Sequence, residues 1–210
     1  MDPERLAALC CNLPVFPLPN AVLLPSTLLP LHVFEPRYRA LVQTCLDTDR
    51  VMGVATLRSG GDPTVDPPMH PEVGVGEIVS HQALPDGRSN IVLQYIGRMT
   101  IEEEVQTNEP FRRVRGALGH EDPTGMDAAI QGLKLLVLQL GGVSPEAAEE
   151  ARRLAALDGA ELVDNLARRL LETSDDQRAY LATDRMVGRV AQVHDRLAHF
   201  LLATRAAGDA

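Results

Sequence analysis

At 210 residues, 45% of them hydrophobic, the chain is long enough to bury one large core or two small ones. A net charge of -9 argues against binding nucleic acid by phosphate neutralisation, and three cysteines, two of them adjacent, make a poor disulfide framework. No apolar run reaches the roughly 20 residues that a membrane helix needs, and the N-terminus opens acidic (Asp2, Glu4) where a signal peptide would be basic, so a cytoplasmic location is expected.

The first half reads as strands. Residues 12–25, NLPVFPLPNAVLLP, carry four prolines among apolar residues, which predicts two short pieces near a sheet edge, Leu13–Phe16 and Val22–Leu24, turning at Pro19-Asn20. Pro30 and Pro36 bracket Leu31–Phe34, whose weak alternation predicts a strand buried on both faces. Pro36 can open a helix, because the N–H it lacks would have no intrahelical partner. Tyr38, Leu41, Val42, Cys45 and Leu46 then recur at spacings of three and four, predicting a helix over 36–47. Val51–Leu57 has strand length, and the proline-rich stretch 59–71 reads as a surface loop. Two β-rich runs, 73–84 and 89–105, flank Pro85-Asp86-Gly87, a hairpin signal, with Gly97 permitting a bend in the second. Phe111–Leu118 is a last strand. Six or so short strands with one early helix predict a small closed or half-closed barrel, which hides strand edges.

After residues 119–125 the period changes. Residues 126–140 are apolar nearly all round, which predicts a central helix. Ser144-Pro145 reads as an N-cap with proline at the first helical position, and Asp158/Glu161 and Ser174/Gln177 have capping-box spacing. A final helix over about 184–205 places Met186, Val190, Val193, Leu197, Phe200 and Leu201 on one stripe. The expectation is an α+β chain: a barrel domain over 1–122, with 10 basic and 16 acidic residues, and a helical bundle over 123–210, with 10 and 13.

No chemical motif emerges. The one lysine, Lys134, has neither the glycine before it nor the hydroxyl after it that a P-loop requires. His194 and His199 are five apart and diverge on a helix, while Cys10-Cys11 lacks C-x-x-C spacing. Gly74 and Gly76 precede a strand and read as a bend or bulge. No catalytic, cofactor or metal residue is expected. Glu35, Arg37, Tyr38 and Arg39 are the one polar cluster in an apolar context: Glu35 could cap the helix with the arginines pairing locally, or the four could form a recognition surface. Val65 and Met69 are apolar residues on the expected loop, where exposure needs a reason.

Three ordered stretches resemble the N-terminal substrate-binding domain of Lon protease, and most of all small bacterial proteins carrying that domain alone. They are NLPVFPLPNAVLLP, LPLHVFEPRYRAL at 29–41 and VGVGEIVSHQALPDGRSNIVLQYIGRMTIEE at 73–103. Residues 160–202 are more loosely similar to the helical tail of those proteins, and the proline-rich stretch 59–71 departs from the family pattern. The resemblance implies a PUA-like β-barrel followed by helices, and a role in holding unfolded or tagged polypeptide. The alternative is an adaptor that docks one specific partner, such as a separate ATP-dependent protease or chaperone. Neither an ATPase module nor a Ser-Lys peptidase is expected in this sequence, so it reads as a non-enzyme that contacts polypeptide, with no nucleic-acid or membrane partner.

Overall fold

The computed structural model describes residues 2–58, 67–142 and 145–208. It divides into two units, Met1–Gly119 and His120–Ala210. The first contains α1 (Pro3–Leu9), β1 (Leu13–Leu18), β2 (Leu28–Val33), α2 (Pro36–Leu46), β3 (Val51–Leu57), β4 (Met69–Ala83), β5 (Ser89–Val105) and β6 (Arg112–Leu118). The strand order is β2-β5-β4-β3-β1-β6, and β6 also pairs with β5, which closes five strands into a ring and leaves β2 outside it.

Strand β5 makes closure possible because its two halves have different partners. Ser89–Gln94 pair with β2, whereas Met99–Val105 pair with β6. Between these halves the β4–β5 register shifts at Val75/Gly76, beside Gly97, and the strand can turn there. Gly74 serves a close approach: a β-carbon on it would lie 2.2 Å from the Leu23 carbonyl oxygen. The hairpin return uses Gly87 at φ 80°, a left-handed conformation that other residues adopt at a cost.

Successive residues on β1 and β3 enter different apolar clusters, so both faces of these strands are buried. Leu13, Val15, Val73, Met99 and Val114 belong to a cluster fed by all five ring strands and by α1. Phe16, Met52, Val54, Ile91 and Leu93 pack with Tyr38, Leu41 and Cys45 of α2.

Several expectations are corrected. Val22–Leu24 is not a strand; Leu23 and Leu24 are buried in a coil segment, because the Thr56 hydroxyl and the Gly74 backbone meet this loop directly. Strand β2 is not buried on both faces, since it pairs on one side only and exposes alternate residues. Helix α1 was not anticipated. Met69 is no loop residue: it pairs with Leu57 at the start of β4 and is 8% exposed within the ring-strand cluster.

The second unit holds α3 (Met126–Gln139), α4 (Pro145–Ala155), α5 (Gly159–Leu170), α6 (Ser174–Ala182) and α7 (Met186–Gly208). Glu121 and Asp122 belong with these helices, the first donated to by Arg189 and the second paired with Arg185. Helix α3 is not apolar all round in its environment. Ile130, Leu133 and Val137 are buried, but Leu135 is 67% exposed and Leu138 lies beside it in the open. Phe200, expected on the buried stripe of α7, is half-exposed. Thr173, not Ser174, caps α6, accepting from the Asp176 N–H at 3.1 Å. Asp158 occupies the N-cap of α5 without a side-chain bond, and the Ser144 cap lies outside the described residues.

A buried polar group fixes the register of three of these helices. The Tyr180 hydroxyl donates to Asp164 at 2.7 Å, and the buried Arg189 guanidinium lies 5.2 Å from the Tyr180 ring while donating to Glu121 and the Thr183 carbonyl. Burial, with the Asp164 carboxylate beside it, pushes the Tyr180 phenol pKa up, so the hydroxyl is held as a donor.

Candidate functional site

The junction of β2 and α2 builds a largely apolar concave surface. Pro36 occupies the first turn of α2, and the Glu35 carbonyl accepts from the Tyr38 and Arg39 N–H groups at 3.1 and 2.9 Å. The Glu35 side chain does not cap the helix. It accepts instead from Arg37 Nε at 2.9 Å, because the neighbouring guanidinium is a stronger, charge-assisted donor. That bond holds Arg37 over the Tyr38 ring, 4.6 Å from its centroid, and Tyr38 in turn stacks on Phe16 at 4.2 Å with the planes 20° apart.

Glu35, Arg37, Tyr38 and Phe16 therefore form one layered wall. It faces a cleft of about 290 Å³ whose other sides come from Pro17, Leu31, Phe34 and Leu57. Phe34 stands at the lip, 58% exposed, with its ring stacked near His32. A smaller recess of about 60 Å³ continues from the cleft past Leu57 to Pro67 and Phe111. Its rim is braced by Arg112, which donates to the Pro67 carbonyl at 2.8 Å and pairs with Glu104.

The structure separates the residues singled out from the sequence. Glu35, Arg37 and Tyr38 line the cleft together. Arg39 does not; one turn position away, it packs against Gly87 of the hairpin. Met69 is core, and Val65 lies outside the described residues. Phe34 and Phe16, which complete the aromatic lining beside Tyr38, carry no signal in the sequence beyond that of ordinary strand residues. A period-two reading of Leu28, Pro30, His32 and Phe34 would have found the exposed face of β2, since proline within a strand marks an edge.

What the cleft can do is enclose an apolar side chain against aromatic and aliphatic walls, with one ion pair at its rim. The nearby Cys45 thiol is buried, and burial pushes its pKa up to about 12, so it stays protonated and unreactive. Among the described residues no group of three or more His, Cys, Asp or Glu could hold a metal ion, and no helix is long and apolar enough to cross a membrane.

The chain is similar to known proteins over most of its length. The family model of the ATP-dependent protease La (LON) substrate-binding domain matches residues 12–204. The Lon protease of Roseiflexus castenholzii is 31% identical over 188 residues, 86% of this chain and 23% of the relative. That of Cytophaga hutchinsonii is 29% identical over 160 residues, 72% of this chain and 19% of the relative. The chain thus spans about a fifth of the length of these relatives. In fold it is similar to the N-terminal domain of Mycobacterium avium complex Lon protease, with a TM-score of 0.66 at 17% identity, covering 89% of this chain and 98% of that one. It is also similar to a Lon N-terminal domain protein from Xanthomonas campestris, with a TM-score of 0.64 at 23% identity, covering 87% and 96%. With a family match that runs through both the barrel and the helices, the chain belongs to the Lon substrate-binding domain family.

Proposed function

We propose that this chain is a non-catalytic polypeptide-binding module, and that the cleft between β1, β2 and α2 takes apolar side chains from unfolded segments. The observation that carries the reading is Phe34. A large aromatic side chain held 58% exposed at the mouth of a cleft walled by Phe16, Tyr38 and Leu57 offers apolar area that a partner can cover. Membership of a substrate-binding domain family supports the same reading. The barrel and the helices are proposed to act as two domains, the barrel carrying the contact surface.

The test is a fluorescence-anisotropy titration with reduced, carboxymethylated α-lactalbumin, which stays unfolded, against the parent chain and Phe34→Ser. Because Phe34 is largely exposed, the substitution leaves the fold intact while removing the lip. Covering the exposed part of a phenylalanine contributes about 1–2 kcal/mol, so affinity should fall by roughly 5- to 30-fold. Unchanged affinity would remove the cleft from the proposal. Stoichiometric capture of one folded protein, with no affinity for the unfolded chain, would favour an adaptor instead.

A further inference from the structure

On the other flank of α2, a second recess of about 280 Å³ opens between the helix and the β4–β5 hairpin, and it shares no lining residue with the cleft. Its polar lining consists of Arg39, Gln43, His81, Arg88 and Ser89, and its apolar lining of Val42, Ala83 and Leu84 beside Gly87. Three features of this lining point to a ligand.

The first is Arg39. In the barrel unit most guanidinium groups have a named partner: Arg5 with Asp49, Arg37 with Glu35, Arg112 with Glu104, Arg113 with Glu109. Among the described residues Arg39 has no ion pair or side-chain hydrogen bond. Arg39 is exposed, and its guanidinium lies over the one residue of the turn that has no side chain: its Nη2 would be 2.2 Å from a β-carbon on Gly87. The second is Ser89. It is 7% exposed, and its hydroxyl has no hydrogen-bond partner among the described residues, so a donor waits in the recess. The third is charge. Arg88 is already neutralised by Asp86, which accepts from its Nε at 2.7 Å and from its backbone N–H at 3.0 Å. Arg39 therefore remains as the single uncompensated charge of the lining.

The geometry points to a binding site for a monovalent carboxylate carried on a small apolar group. A planar guanidinium matches the two oxygens of a carboxylate as a fork, and the Ser89 hydroxyl supplies a further donor. One net positive charge balances one negative charge, whereas a phosphate dianion would leave an excess charge beside Asp86. Val42, Ala83 and Leu84 meet the apolar part. At about 280 Å³ the recess has room for a carboxylate with one aliphatic side chain. Two sources present this chemistry: a free small carboxylic acid, and the C-terminal residue of a polypeptide.

The test is an amide ¹H–¹⁵N NMR titration of the full chain with N-acetyl-leucine, N-acetyl-leucinamide and inorganic phosphate, following Gly87, Arg88 and Ser89. N-acetyl-leucine is expected to shift these signals saturably, and the amide to leave them unmoved. Arg39→Gln should weaken the effect by about tenfold or more, and Arg39→Lys by less, since it keeps the charge and loses the fork. Equal shifts with the amide, binding of phosphate alone, or full binding by Arg39→Gln would each overturn the proposal. A decapeptide ending in a free leucine that shifts the same signals, with an inert C-amidated twin, assigns the chain terminus as the source. N-acetyl-leucine binding with both decapeptides inert assigns a free acid. Affinity of Arg39→Gln for unfolded α-lactalbumin, read separately, reports on the cleft and keeps failure of one site distinct from failure of the other.

Discussion

Closure of the ring depends on Gly116, and replacing it with alanine tests the fold at its seam. Gly116 pairs with Ile101 on β5, and its N–H also donates to the Cys10 carbonyl at 3.1 Å. A β-carbon added there would lie 2.0 Å from the Thr100 carbonyl oxygen and 2.7 Å from Met99 Cε. The methionine can move, but the carbonyl is held by the β5–β6 ladder on a strand that also pairs with β4. Overpacking costs about 1–3 kcal/mol, and a backbone obstacle places this substitution at or above the upper end. The reduced entropy of the unfolded alanine chain offsets about 0.4–1 kcal/mol. A net loss of about 2 kcal/mol or more remains. With a urea dependence of about 2 kcal/mol per molar, the midpoint should fall by about 1 M. Urea titration read by hydrogen-exchange mass spectrometry on β5 and β6 peptides follows the barrel by itself. Gly132→Ala is the control: nothing lies within 4 Å of its added β-carbon, and helix propensity should stabilise α3 by about 0.8–1 kcal/mol. A Gly116→Ala midpoint equal to that of the parent would refute the closed β5–β6 seam.

Other outcomes follow from the same contacts. Tyr180→Phe removes the donor to buried Asp164 and should cost about 1–3 kcal/mol in thermal unfolding of the helices, with no change at the cleft. Of the three thiols, exposed Cys11 should react rapidly with an aromatic disulfide reagent, while Cys10 and Cys45, buried and pushed up to about 11 and 12, should react only on unfolding. Hydrogen bonds from Arg88 and Arg113 hold Asp86 and Glu109 below the usual carboxylate range, Asp86 at about 2. Their contribution to stability is present above pH about 4 and is lost as pH falls through those lowered values, so Glu109→Gln should flatten the dependence of Tm on pH in that window.

The parts of the fold that were legible in the sequence have local causes. The hairpin follows from Asp86-Gly87, and α2 from Pro36 with its apolar spacing, since each depends on residues within a few positions of one another. The parallel pairing of β1 with β3 has no such signal: Val15 meets Gly53 across α2 and β2, and only the ring as a whole brings them together. Exposure was the harder quantity. Leu135 and Leu138 extend an apolar run that periodicity alone assigns to a core, yet only the face containing Ile130, Leu133 and Val137 meets other helices. The cleft shows the same division. Glu35, Arg37 and Tyr38 stood out by composition, while Phe16 and Phe34 looked like ordinary strand residues until β1 and β2 were placed beside α2.

The cleft's role is tested most directly by replacing Phe34 with the photoreactive p-benzoylphenylalanine, which keeps an aromatic side chain at the lip. Irradiation with unfolded, carboxymethylated α-lactalbumin should give a crosslinked product that native α-lactalbumin does not give. The same residue at Leu135, more exposed than Phe34 but in the helical unit, should crosslink far less. Crosslinking at Leu135 equal to or greater than that at Phe34 would contradict the assignment of the barrel cleft as the polypeptide-binding surface.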